Sequence, residues 1–263
     1  MKIAFIGYGN MSSALVNGIL ASDKIILSDD LYIFHNKNKD EYNLERCTFI
    51  KSGEKCSNSF DIVFLCIKPN DLESAISENF DIFSDNQIII SIAAGVEIKS
   101  IKNLIKKNVL IVRAMPNLCA IFNESITGLC MQNSIDNDKK DYIENIFKSI
   151  GHVRKIKEEE MHSFTAIYGS GPAYVMYFAE SLIQCEEFDS ITKKEKSLLI
   201  LHLLNSTSKM LLATDDIKKL RAKVTSKGGT TEAAIKILEE NNFFDIIEEA
   251  IKNARKKSSD LSK

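Results

Sequence analysis

Neither sign of charge dominates this chain: 34 lysines and arginines stand against 36 aspartates and glutamates, for a formal net charge of -2 over 263 residues. A basic face of the kind that binds nucleic acid or an anionic membrane surface is therefore not expected. The six cysteines, Cys47, Cys56, Cys66, Cys119, Cys130 and Cys185, include no CxxC pair, and the four histidines show no metal-ligand spacing. No metal site is expected, and the thiols read as buried and reduced. No apolar run is long enough to span a bilayer. The opening apolar run is broken within a few residues by Gly7 and Asn10, which argues against a signal peptide. No internal repeat or low-complexity segment is present. These absences leave a soluble, cytoplasmic protein that handles small molecules, and 263 residues suit two domains.

What is present alternates. "KIAFI" (2–6) is a short apolar run ending at Gly7, followed by Ala14, Leu15, Gly18 and Ile19 at helical spacing. "LYIF" (31–34), "DIVFLCI" (61–67), "QIIISIA" (87–93) and "VLIVRAM" (109–115) continue the pattern, and "SITGLCM" (125–131) and "HVRKI" (152–156) flank a helical segment at the sheet edge. Strands separated by crossovers predict a parallel sheet with helices on both faces. After about residue 157 the strands stop. The segments 171–188, 192–213, 230–241 and 243–262 all carry helical periodicity, with the terminal "ARKKSSDLSK" read as a solvated helix end. The expectation is an α/β Rossmann domain over 1–158, doubly wound with a mostly parallel sheet, followed by an all-α C-terminal domain over 159–263.

"GYGNMSSA" (7–14) joins the first strand to the first helix, the context a dinucleotide-binding turn needs. Gly7 permits the tight turn, Gly9 lets backbone approach a pyrophosphate, and the helix N-terminus offers N–H groups to the phosphates. Ser12 stands where a third glycine is usual, and a tight turn without a ligand is the plainer alternative. An acidic residue normally follows the second strand to hold a ribose 2′-hydroxyl. Here His35, Asn36, Lys37, Asn38 and Lys39 follow, which favours a 2′-phosphate and hence NADPH over NADH, although such a loop is also an ordinary solvated one. "CIKPN" (66–70) and "SIAAGV" (91–96) end strands at the side where open sheets bind ligands, and either alone would pass for a simple strand-to-helix turn.

In the helical half, "KVTSKGGTTEAAI" (223–235) places four hydroxyl residues and two glycines before a helix. One reading is a helix cap formed by Thr230 or Thr231. A cap needs one hydroxyl and no glycine pair, so an anion site built from free N–H groups and hydroxyl donors is favoured.

With "FIGYGNM", "CIKPND", "SIAAGV", "RAMPN" (113–117), "TAIYGSGPAY" (165–174) and "VTSKGGTTEAA" (224–234) in order, the chain resembles the pyrroline-5-carboxylate reductase family over essentially its whole length. The resemblance implies a Rossmann domain that carries NAD(P)H and a helical domain that forms a homodimer by interlocking with its twin, often within larger rings. It implies reduction of the cyclic imine 1-pyrroline-5-carboxylate to L-proline, the last step of proline biosynthesis. By match, Gly7, Gly9, Asn10 and Met11 hold the pyrophosphate and Asn36 and Lys37 the adenosine end. Cys66, Ile67, Lys68 and Pro69 lie with Ser91, Ile92 and Ala93 on the nicotinamide side. Val224, Ser226, Gly228, Gly229, Thr230 and Thr231 carry the substrate. No His, Asp or Glu inside these motifs is an obvious general acid, so the imine nitrogen is expected either to arrive protonated or to gain its proton from a hydroxyl such as that of Thr231, with water behind it. Two positions depart from the family pattern: Tyr168 replaces a small residue and Lys223 an amide.

Two rival readings are weaker. A dehydrogenase of β-hydroxyacid type resembles its relatives in carrying a catalytic lysine on the long interdomain helix, and residues 171–188 contain none. A non-catalytic nucleotide-sensing module gives the small-residue motif at 224–231 no purpose.

Overall fold

The computed structural model describes residues 1–25, 31–36, 44–186 and 190–261. One sheet contains β1 (Ile3–Ile6), β2 (Leu31–His35), β3 (Cys47–Lys51), β4 (Ile62–Leu65), β5 (Ile88–Ser91), β6 (Leu110–Met115), β7 (Ser125–Met131) and β8 (Gly151–Lys155). Its order is β3-β2-β1-β4-β5-β6-β7-β8. Neighbours are parallel except β6 and β7, which run antiparallel. The chain moves outward from β1 to β3, then restarts at β4 on the other side of β1. Strand order therefore reverses at β1, and the crevice beyond its carboxyl end is where such sheets accept ligands.

β1, β4 and β5 are buried along their whole length, as a strand covered on both faces must be. Alternate side chains go to opposite cores. Ile3, Phe5 and Phe64 pack with Leu15 and Ile19 of α1 (Asn10–Ala21) and with Ile143, Ile146 and Phe147 of α4 (Asn137–Lys148). Ala4, Ile6, Val63 and Leu65 pack with Leu72 and Ile76 of α2 (Leu72–Glu78) and with Ile101 and Ile105 of α3 (Ile98–Ile105). The short α5 (Met161–Phe164) runs into one π-helical turn at Thr165–Gly169, closed by a bond from the Ser170 N–H to the Thr165 carbonyl.

The chain divides into two compact units, Met1–Pro172 with Ala254–Lys263, and Ala173–Asn253. The second holds most of α6 (Gly171–Gln184), then α7 (Lys193–Leu212), α8 (Ile217–Lys223), α9 (Thr230–Glu240) and the first part of α10 (Phe243–Asp260). Its interior is almost absent: Ala179 is the one buried residue among those described between 173 and 253. The terminal segment corrects an expectation. It is not a solvated helix end, because Ser258 is buried and belongs with the sheet-bearing unit. No helix among the described residues is long and apolar enough to cross a membrane.

Candidate active site

Phe34, Ile6, Leu65 and Ser91 pair in one row across β2, β1, β4 and β5. The segments that follow them therefore emerge at one end of the sheet: Asn36, Gly7, Cys66 and Ile92 all lie just past that row. The first unit thus brings together Gly7, Gly9, Asn10, Met11, Asn36, Cys66, Ile67, Lys68, Pro69, Ser91, Ile92 and Ala93. Asn36 is exposed at the bend after β2, where an adenosine ribose would arrive, and Lys37 lies outside the described residues.

Gly7 has φ of +91°, and a Cβ there would sit 2.6 Å from the Cys66 carbonyl oxygen and 2.7 Å from Ile67 Cγ2. Only glycine satisfies both the left-handed backbone and the contact between the two loops. Gly9 is different: a Cβ there would meet nothing within 4 Å. Its front is open space beside the start of α1, a cradle suited to a pyrophosphate. The N–H groups of Asn10, Met11 and Ser12 have no acceptor among the described residues, and Ser13 N–H makes the first helical bond, to the Gly9 carbonyl. Ser12, in the usual third-glycine place, is buried and accepts the Gly9 N–H at 2.7 Å while donating to the Gly9 carbonyl at 3.1 Å. One amide of the turn is thereby committed to the fold, and the anion site narrows to the first turn of the helix.

Pro69 opens a 3₁₀ turn, Pro69–Asp71, that leads into α2, with Lys68 exposed just before it. Desolvation pushes the Cys66 thiol far up, so it stays protonated and brings no charge to this end of the sheet. Ser91 is buried and accepts the Ala93 N–H at 3.3 Å.

In the second unit, Val224–Gly229 connects α8 to α9, and Thr230 and Thr231 are the first two residues of α9. The N-cap is Gly229, without a side-chain cap. Neither threonine caps the helix, so the capping explanation fails and both hydroxyls remain for another partner. The glycine pair is not a source of free amides, however. Gly228 N–H donates to Glu232 Oε2 at 2.7 Å, and Gly229 N–H donates to the Ser226 carbonyl at 3.0 Å. Gly228 has φ of +75°, and a Cβ on Gly229 would lie 2.7 Å from Ser226 Oγ. The glycines shape the turn, and the N–H groups of Thr230, Thr231 and Glu232, unpaired among the described residues, are the donors it aims outward. Glu232, which braces the turn, carries no distinguishing mark in the sequence. A cleft of about 640 Å³ flanks the loop, lined by Lys218, Arg221, Thr225, Gly229, Glu232 and Lys236 among others; Val224, Ser226, Thr230 and Thr231 do not line it.

The two unusual residues have local explanations. Tyr168 packs its ring on Phe164 at 4.7 Å, and its carbonyl, in the π-helical turn, accepts from Asn117 Nδ2 at 3.0 Å. Lys223 is exposed in the last turn of α8, where a cation suits the helix dipole. Among the described residues no His, Cys, Asp and Glu group could hold a metal ion.

A glycine turn with open helix N–H groups at a strand-order reversal, followed by helices with almost no core, has the architecture of a dinucleotide-dependent oxidoreductase. Residues 2–95 match the family described as NADP oxidoreductase coenzyme F420-dependent, and residues 158–261 match that described as pyrroline-5-carboxylate reductase dimerisation. The pyrroline-5-carboxylate reductase of Staphylococcus aureus (strain COL) is 31% identical, with 100% of this chain and 98% of the relative covered. Pyrroline-5-carboxylate reductase 2 of Bacillus subtilis (strain 168) is 31% identical, covering 99% and 95%. The crystal structure of Plasmodium falciparum pyrroline carboxylate reductase with NADP bound superposes with a TM-score of 0.86 at 28% identity, covering 100% of this chain and 98% of that one. The Coxiella burnetii enzyme gives 0.84 at 31%, with the same coverage. The chain belongs to the pyrroline-5-carboxylate reductase family.

Proposed function

We propose that this protein reduces 1-pyrroline-5-carboxylate to L-proline with NADPH, the last step of proline biosynthesis, and that NADH is the poorer donor. The observation that carries the reading is that a chain of this family holds two anion-ready helix starts, α1 suited to a pyrophosphate and α9 suited to a carboxylate. The bound dinucleotide supplies the hydride. Asn10 and Met11 hold its phosphates through backbone N–H groups, with Gly7 and Gly9 giving access. Asn36 and Lys37 receive the adenosine end, and Cys66–Pro69 and Ser91–Ala93 flank the ring without bringing charge to it. Val224, Ser226, Gly228 and Gly229 shape the substrate loop. Thr230 and Thr231 offer N–H and hydroxyl donors, and the imine nitrogen either arrives protonated or takes its proton from the Thr231 hydroxyl with water behind it.

The start of the association region near residue 158, where the dimerisation match begins although the first compact unit runs on to Pro172, belongs to this same reading, as do the homodimer and its place within a larger ring. Six free thiols fit a reducing compartment, here the cytoplasm. The test is direct: purified protein, pyrroline-5-carboxylate and NADPH or NADH, followed at the nicotinamide absorbance. Consumption of NADPH with formation of proline is expected. A folded, associated protein that consumes neither cofactor overturns the reading.

A further inference from the structure

The segment Ile92–Glu97, between β5 and α3, is gripped from beneath by groups the reaction does not use. At its end, the Ile98 N–H donates to Glu158 Oε1 at 2.8 Å, and the same oxygen accepts from Arg113 Nη1 at 3.0 Å. Arg113 is 3% exposed, so the guanidinium is held by its ion pair in the protein interior. In the middle of the segment, Gly95 has φ of +81° and lies against the end of α10. A Cβ there would be 2.7 Å from Leu261 Cβ and 2.8 Å from the Ser258 carbonyl oxygen. Ser258 is 5% exposed, and its hydroxyl meets His162 Nδ1 at 3.0 Å. A terminal turn that looks solvated in the sequence is thus clamped between α5 and the segment that carries Ile92 and Ala93.

We infer that the end of α10 together with Leu261 just after it, Ser258 to Leu261, positions the Ser91–Val96 segment for the dinucleotide, and that Ser258 is the positioning residue through which it acts. The inference rests on the reading that Ser91–Ala93 lie beside the nicotinamide. Gly95 leaves no side chain to space the two backbones apart, so any displacement of the turn transfers directly to the segment. The His162–Ser258 bond fixes the turn from its other side. α10 is one continuous helix from Phe243, so the clamp also ties this segment to a helix within the matched dimerisation region.

The experiment uses the full chain. Hydrogen exchange with and without NADPH first tests the underlying reading: protection of 91–97 by NADPH supports it, and absence of protection overturns both it and the inference. Ser258→Ala is then expected to speed exchange of 91–97 in the free protein and to raise the NADPH Kd about fivefold, the worth of one hydrogen bond. Its kcat should stay within about twofold, since the loss falls on cofactor binding and not on turnover. Ser258→Thr, which keeps the hydroxyl, should restore the Kd, and His162→Ala, which removes the other partner of that bond, should weaken NADPH as Ser258→Ala does. An unchanged Kd in both Ser258→Ala and His162→Ala, while NADPH still protects 91–97, overturns the inference. A fall in melting temperature with unchanged Kd assigns the clamp to stability alone and overturns it as well.

Discussion

Thr231 stands at the second position of α9 with its hydroxyl unused by the helix, because Gly229 serves as N-cap. Replacing Thr231 by Ala therefore removes a donor without removing a cap, and helix propensity slightly favours the change. Turnover should fall about tenfold or more, the range for one group acting in proton transfer, with melting temperature held. Steady-state kinetics with saturating NADPH check this, and unchanged kcat would take Thr231 out of the chemistry. Asn36 offers a separate test at the adenosine end. Asn36→Asp puts a negative charge where a 2′-phosphate is expected, and losing a charge-assisted contact is worth about 1.5–3 kcal/mol. The NADPH Kd should rise roughly tenfold to a hundredfold, with a smaller change for NADH. Equal weakening of both cofactors would show that Asn36 does not meet the ribose.

At the scale of elements, what the sequence revealed and what it hid have different physical causes. β1, β4 and β5 are covered on both faces, so their apolar runs are continuous and their ends coincide with glycine or small residues; both strand and site loop were legible there. β3 was not read as a strand. It lies at the sheet edge, and its "CTFIK" is only partly buried, so neither alternation nor a full apolar run marks it. The π-helical turn at Thr165–Gly169 depends on one i to i+5 bond and on Asn117 from a distant loop, which no local pattern announces. In the site itself, glycine and hydroxyl positions were legible because backbone chemistry demands those residue types. Their division of labour was not: Ser12 and Glu232 take amides that the motif alone offers to a ligand. A further element-scale prediction concerns α4 and β8. Glu144 binds Lys148 one turn along α4 at 2.6 Å and Lys155 on β8 at 2.5 Å. The bonds from Lys148 and then Lys155 lower the Glu144 carboxyl below its ordinary range. A carboxyl lowered in the folded state stabilises above its unfolded pKa, and that contribution fades as pH falls through the folded value. Both lysines are more than half exposed, so the pair is worth about 0.5–1 kcal/mol and weakens with salt. Glu144→Gln should lower the melting temperature by a few degrees near pH 7 and by progressively less as pH falls below the ordinary carboxylate range, read by thermal denaturation across that range. A difference that persists at low pH would assign the loss to packing.

For the whole molecule, the decisive feature is the contrast between two cores. The sheet-bearing unit buries aromatic and branched side chains on both faces. Between 173 and 253 the helices leave large apolar groups in water, among them Tyr177 at 76%, Leu212 at 87% and Phe244 at 72% exposure. Such surface costs about 25 cal/mol for each Å² left uncovered, and unit after unit of it along α6, α7, α9 and α10 is far beyond what a monomer ordinarily shows. The match of 158–261 to a dimerisation family supports the proposal that a second copy supplies the missing core. On that proposal association and folding of this half are one event, and stability depends on protein concentration. Sedimentation should find no monomer at assay concentrations, and the melting temperature of the full chain should rise with concentration. Truncation sharpens the test. Ending the chain after residue 158 would strip Met161, Phe164 and Ala166 from the first unit's core, so a chain ending at Pro172 is the fairer fragment. That fragment should be monomeric and inactive, and its NADPH binding weakened by loss of the Ser258–Leu261 turn. Charged substitution within the apolar stripe, such as Leu199→Glu at a position 56% exposed in the single chain, should abolish association and activity together. If this variant stays active while sedimenting as a monomer, the helices close their core without a partner and the obligate dimer is excluded.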